Sequence, residues 1–185
     1  MYLRPVIMVF VQLSVLLGLL YPLLVTGLGQ VLFADAANGS LIHQGDKVVG
    51  SHLIGQEFRR AEHFWGRPSA TAEFAYNPMA SGGSNLAATH PKLAEAAQAQ
   101  LALLAPSHGT AVPVALLSAS GSGLDPDISL QAALYQVPRV AQASGHTEQD
   151  LRTLVHSLSR NTLTTGFQPL VNVVDLNLAV RALPQ

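Results

Sequence analysis

The sequence predicts an α+β protein: a single N-terminal transmembrane helix followed by one mixed α+β extracytoplasmic domain. Three observations carry this reading. Residues 6–28 form an apolar stretch with no charged side chain in 23 positions. Beyond it, short β-type runs are interspersed with segments of helical periodicity. Finally, Arg4 precedes the stretch, whereas the first basic residue after it is Lys47.

The apolar stretch is the first element. At helical rise it measures about 34 Å, enough to cross a hydrocarbon core about 30 Å thick. With Arg4 and the amino terminus on one side and Asp35 nearest on the other, the positive-inside tendency divides the chain three ways. Residues 1–5 are cytoplasmic, 6–28 span the membrane, and 29–185 form the extracytoplasmic domain. A cleaved signal peptide is the competing reading, with Ala34-Asp35-Ala36 as a small-residue site. Its apolar core would run only about 7–15 residues, shorter than this one. Ser14, Gly18, Pro22 and Thr26 recur every fourth position and form a stripe where a second helix can approach closely. Gln12 is the strongly polar side chain inside the span and calls for a partner or an interfacial position.

Composition narrows the function classes. Charged residues are only 11% of the chain and net charge is −1, so the basic footprint of a nucleic-acid binder is missing. The absence of cysteine excludes disulfides and zinc–thiolate sites.

Within the domain, residues 39–42 and 47–50 flank the turn His43-Gln44-Gly45-Asp46 and predict a β-hairpin. Residues 54–58 continue that sheet or begin a short helix. Residues 65–85 are rich in Gly, Pro, Ser and Asn and predict a long ordered loop, packed by Phe64, Trp65, Phe74 and Tyr76. Thr89 is placed to cap a helix running to Leu104, with Pro91 in its first turn. Leu93, Ala97, Leu101 and Leu104 mark its apolar face. Residues 112–118 predict a buried strand ending at the turn Ser120-Gly121-Ser122-Gly123. Asp127 is placed to cap a helix over 128–135, with Pro138 restarting or kinking it. Thr147 and Asp150 have capping-box spacing, and Leu151, Leu154, Val155 and Leu158 follow at i, i+3, i+4 and i+7. A strand over 170–174 and a short terminal helix from Asp175 complete the domain.

Candidate chemistry is sparse. Seven histidines, at 43, 52, 63, 90, 108, 146 and 156, show no metal-site spacing. Ser122 lacks the upstream glycine of a nucleophile elbow, because residue 120 is Ser. The run Ser81-Gly82-Gly83-Ser84-Asn85 resembles an anion cradle but lacks the Lys-Ser/Thr ending of a phosphate loop. Asp125 and Asp127 either stabilise a helix start or attract cations.

Taken in order, several strings resemble the C subunit of the bacterial Kdp-type potassium-transporting ATPase. They are 21–27 (YPLLVTG), 50–56 (GSHLIGQ), 64–69 (FWGRPS), 80–86 (ASGGSNL), 118–129 (SASGSGLDPDIS), 136–140 (QVPRV), 171–173 (VNV) and 176–178 (LNL). The run Gly166-Phe167-Gln168-Pro169 carries one residue more than the family pattern. The resemblance implies an accessory, non-catalytic subunit in the bacterial inner membrane. Its partners would be a channel-like potassium-binding subunit and an ATP-hydrolysing subunit, with membrane lipid around the helix. It also implies a catalytic chaperone that raises the pump's affinity for ATP, with a nucleotide contact at Gln136. Potassium would be the transported ion, and no cofactor would be tightly bound. ATP is cytoplasmic, whereas the charge argument places Gln136 outside. Either that topology is reversed or the ATP effect is transmitted through the membrane helices. An anchored solute- or cation-binding module and an anchored Ser/His/Asp hydrolase are the alternatives.

Overall fold

The computed structural model describes residues 3–104, 111–161, 166 and 168–184. His108 and Phe167 lie outside the described residues. The chain divides into two units, Met1–Leu41 and Ile42–Gln185.

The first unit is built on a continuous helix, Leu3–Leu32, longer at both ends than the apolar stretch over 6–28. It comprises α1 (Leu3–Val15), a wide π-type turn (Leu16–Leu20) and α2 (Tyr21–Leu32). The wide turn has an identifiable cause. Pro22 has no N–H, and its ring would press on the carbonyl four residues earlier, at Gly18. The chain responds with an extra residue in the preceding turn, so the Tyr21 N–H bonds to the Leu16 carbonyl. The helix stops at Phe33 (φ −138°, ψ 46°). A four-residue helix, α3 (Ala34–Ala37), follows. The Asn38 side chain then reaches back to Gln30 Oε1 (3.1 Å) and the Ala34 carbonyl (2.6 Å).

Next in the chain, β1 (Leu41–Gln44) and β2 (Lys47–Ser51) form the expected hairpin. Gly45, at φ +62°, supplies the turn. Residues 54–58 add one isolated bridge, Ser51 to Ile54, and no further strand or helix. The loop over 65–85 is present, interrupted by a 3₁₀ turn at Pro78–Ala80. Helix α4 (Pro91–Leu104) follows. His90, rather than Thr89, holds its start: its Nδ1 accepts from the Lys92 N–H (3.2 Å). Of the anticipated apolar face of α4, only Leu104 is buried, while Leu93 and Leu101 stay exposed.

Further elements differ from expectation, including the last strand, which ends at Asn172 so that the final helix starts at Val173 rather than Asp175. Residues 112–118 are not a strand. Pro113 has a fixed φ and no ladder donor, and its carbonyl instead accepts from the Leu116 N–H (3.0 Å), closing a 3₁₀ turn at Val114–Leu116. Asp127 does not cap a helix but begins β3 (Asp127–Ser129), which pairs antiparallel with β4 (Leu170–Asn172). Asp127 opposes Asn172, Ile128 opposes Val171, and Ser129 opposes Leu170.

Each of these strands runs directly into a helix. Ser129 Oγ accepts from the Ala132 N–H (3.2 Å) and caps α5 (Leu130–Ser144). Asn172 Oδ1 accepts from the Val174 and Asp175 N–H groups (3.0 and 3.1 Å) and caps α7 (Val173–Arg181). Helix α5 continues through Pro138 as one element, held on both sides of the proline by the buried Val137 and Val140. Thr147 caps α6 (Glu148–Ser157) as its spacing predicted, accepting from the Asp150 N–H (3.1 Å). The core gathers Ile128, Ala132, Val137, Val140, Leu151, Val155, Val171 and Leu176 around Phe64, which is fully buried.

Asn172→Ala removes the α7 cap together with a bond from Asn172 Nδ2 to the His52 carbonyl (2.8 Å). It should cost about 2–3 kcal/mol in urea unfolding, against about 1 kcal/mol for Ser129→Ala, which removes a cap alone.

Candidate functional site

Two buried amide side chains organise the centre of the domain. Gln136 on α5 is 1% exposed and Asn177 on α7 is 2% exposed. Asn177 Oδ1 accepts from the Phe64 N–H (2.8 Å), and its Nδ2 donates to the Phe64 carbonyl (2.9 Å). Gln136 treats the next residue alike. Its Oε1 accepts from the Trp65 N–H (2.8 Å), and its Nε2 donates to the Trp65 carbonyl (3.0 Å). The two side chains therefore supply residues 64–65 with the pairing a neighbouring strand would give.

Gln136 has further partners. Its Nε2 also donates to the Ala132 carbonyl (3.2 Å), and its Oε1 also accepts from Arg139 Nη2 (2.7 Å). Two donors and two acceptor sites exhaust a side-chain amide, so in this conformation Gln136 has no position left for a ligand. Arg139 Nη1 donates to the Ala61 and His63 carbonyls (2.6 and 3.1 Å), and its guanidinium lies 4.2 Å from the centre of the Trp65 ring. Burial pushes the Arg139 pKa down to about 10, so it remains a cation at neutral pH and favours the ring face.

A second centre forms around Arg67. Its Nη1 pairs with Asp125 Oδ2 (3.2 Å), and its Nη2 donates to the Ala119 carbonyl (3.1 Å). Tyr76 OH donates to the Arg67 carbonyl (2.7 Å), and burial, aided by Asp125, pushes that phenol up to about 12. The glycine-rich segments meet here. The Gly82 N–H donates to the Ser122 carbonyl, and the Gly55 N–H to the Leu124 carbonyl (both 2.8 Å). Gly123 sits at φ +69°, and a Cβ there would lie 2.8 Å from the Gly82 carbonyl oxygen, so a side chain would push these loops apart. The Ser120 and Ser122 hydroxyls serve the same turn, accepting from the Gly123 and Leu124 N–H groups (both 3.1 Å).

The remaining candidates are dispersed. Asp125 and Asp127 engage different arginines, because Asp127 Oδ1 pairs with Arg160 Nη2 (2.8 Å). Burial raises the Asp127 pKa against the opposing pull of Arg160. Asp125 Oδ1 also accepts from the Asp127 N–H (3.0 Å), so the pair shapes a turn. Ser14, Gly18, Pro22 and Thr26 are all exposed along the first-unit helix, and Gly18 has open space around it. His52 Nδ1 lies 2.7 Å from Asp175 Oδ1. His63 is 8% exposed, and its Nε2 accepts from Arg181 Nη2 (3.2 Å). Among the described residues no cluster of three potential metal ligands forms. Arg67, Arg139 and Asn177 carry positioning roles that the residue-by-residue reading missed. For Asn177 a signal existed: an amide flanked by the helical apolar residues Val173, Val174, Leu176 and Val180.

An apolar helix able to cross a membrane, joined to an α+β domain tied together by its loops, fits the class of membrane-anchored domains. Comparison with known proteins narrows this class. The profile of a family described as K+-transporting ATPase, c chain (KdpC), matches residues 3–182. A Serratia proteamaculans protein is 54% identical over 98% of both chains. An Escherichia coli O157:H7 protein is 49% identical over 99% of this chain and 98% of its own. A Yersinia pestis protein is 47% identical, covering 97% and 92%. All three are named potassium-transporting ATPase KdpC subunits. The chain belongs to the KdpC family.

Two measurements test this geometry. Gln136→Leu strands the Trp65 N–H and carbonyl and should lower unfolding stability by about 2–4 kcal/mol. Combined with Asn177→Leu, the loss should fall clearly short of additive, since both amides hold one backbone segment. The second concerns pH. Burial first, then Arg181, lowers the His63 pKa from 6.5, so the folded state prefers neutral His63 and the unfolded chain takes up its proton first. Stability should be full above pH 6.5 and fall as pH drops through the lowered value. His63→Gln should remove that component of the unfolding profile.

Proposed function

We propose that this chain is the accessory, non-catalytic subunit of an ATP-driven potassium uptake pump in a bacterial inner membrane. It aids assembly and raises the ATP affinity of the hydrolysing subunit. The observation that carries the proposal is the family match, which runs from the membrane helix to the end of α7. The relatives it resembles at about half identity are named as subunits of a potassium-transporting ATPase. Its partners are a channel-like potassium-binding subunit and an ATP-hydrolysing subunit, and potassium is the cargo of the complex.

The proposed topology follows the charge bias: residues 1–5 cytoplasmic, 6–28 in the bilayer, 29–185 outside. Under it, ATP and the domain lie on opposite faces of the membrane. The occupied amide of Gln136 favours a structural role for this residue, and the ATP effect is then indirect. The stripe Ser14–Gly18–Pro22–Thr26 offers a packing route, because small residues let a partner helix approach and tie its position to that of the domain.

Topology is tested with Gln149→Cys, an exposed position in a chain that has no cysteine of its own. A membrane-impermeant thiol reagent should label it in intact spheroplasts. Labelling only after permeabilisation would reverse the topology and reopen direct nucleotide contact. The role is tested by purifying the pump without this chain. The hydrolysing subunit should then show a raised KM for ATP, and an unchanged KM in a stable complex would remove the chaperone reading.

A further inference from the structure

A recess between the segment 60–63 and the ends of α5 and α7 gathers more positive charge than its surroundings neutralise. It is open, about 680 Å³ in volume, and its lining includes Arg60, Glu62, His63, Ser144, His146 and Arg181. Of the ten Lys and Arg residues in the chain, three act on His63: Arg181, Arg60 and Arg139. Glu62 is the facing carboxylate, and Arg60 Nε already pairs with its Oε1 (2.5 Å). Arg139 is committed to backbone carbonyls and to the Trp65 ring. Arg181 meets no carboxylate within ion-pair distance among the described residues, and its Nη2 donates to His63 Nε2 instead.

That pairing gives a guanidinium a neutral acceptor where a carboxylate would make the stronger, charge-assisted bond. With Nε2 accepting, Nδ1 holds the imidazole proton, so His63 is itself a donor at its other nitrogen. The Ser144 hydroxyl is buried and has no hydrogen-bond partner among the described residues. Helix ends account for part of this arrangement. The carbonyl ends of α5 and α7 favour a cation, and Arg181 in the last turn of α7 meets that need. They do not account for a second arginine and a buried histidine in the same place, nor for donors that outnumber acceptors.

We infer that this recess binds a tetrahedral oxyanion, with Arg181 as the principal ligand and Arg60 and His146 around it. Three features select that class. Charge is the first, because an anion supplies the partner that Arg181 lacks. The second is direction: the donors come from three separate elements, and a tetrahedral oxyanion offers acceptor oxygens on several sides, whereas a carboxylate offers two close together. The third is the histidine. Burial and then Arg181 hold His63 below its usual range, and an anion shared with Arg181 relieves the second of these causes. The inference uses residues of the domain alone and stands apart from the pump-subunit reading. A free anion and a phospholipid headgroup share this chemistry.

The test is an NMR titration of the full chain, carrying isotope-labelled histidine, in dodecyl maltoside micelles, which contain no phosphate. Sodium sulfate replaces sodium chloride at constant ionic strength. The His63 ring signal, identified by its loss in His63→Gln, should move saturably with a midpoint on the order of 1 mM. Arg181→Gln should weaken that midpoint about tenfold or more, the loss of a charged hydrogen bond. Arg152→Gln makes the same change of charge on α6, where Arg152 pairs with Glu148, and should leave the midpoint unchanged. Nanodiscs of phosphatidylglycerol separate the two sources. A headgroup in the recess should give the sulfate-bound His63 signal with no sulfate present, and a free anion should give it only after sulfate is added. No saturable shift below about 50 mM sulfate, or equal weakening by Arg181→Gln and Arg152→Gln, would overturn the inference.

Discussion

The domain depends on a substitution of side-chain amides for a missing strand. Residues 64 and 65 run through the interior without a backbone neighbour, and buried peptide groups left unpaired are costly. Asn177 and Gln136, presented by α7 and α5, satisfy them in sequence. This fixes Phe64 in the core and Trp65 beneath Arg139. Because the donors sit on two different helices, the same four bonds also set how α5 and α7 lie relative to each other. The short β3–β4 ladder reinforces that arrangement, since each strand leads directly into one of the two helices.

From this fixed segment the chain passes to Arg67 and the loop cluster. Regular structure is scarce between β2 and α4, and order there comes from hydroxyls, amides and one half-buried ion pair. Glycine at 123 permits the closest approach of the loops. Ser120, Ser122, Asp125, Asp127, His52, His63 and His90 each serve local bonds. That distribution accords with a subunit proposed to act by contact.

The helix in the first unit shows how local sequence sets local geometry. Pro22 imposes the wide turn before it. That turn holds more residues than an α-turn, and so offsets the angular drift that residues four apart accumulate in a regular helix. A packing stripe with four-residue spacing is therefore better sustained with the proline than without it.

Short-range chemistry alone determined much of this protein. The apolar helix, the Gly45 hairpin, the Thr147 cap and the ordered loop over 65–85 each rest on neighbouring residues, and each was legible before the fold was known. The tertiary structure decided matters that depend on distant partners. Asp127 reads as a helix cap until the strand at Leu170–Asn172 claims its segment. Residues 112–118 look like a buried strand, yet Pro113 has no ladder donor and the chain turns instead. The resemblance implies a nucleotide contact at Gln136, and only the fold reveals the bonds of its amide to Trp65, 71 residues away. A side-chain amide shows its chemistry in the sequence, but which groups exhaust it is set only when the chain folds around it.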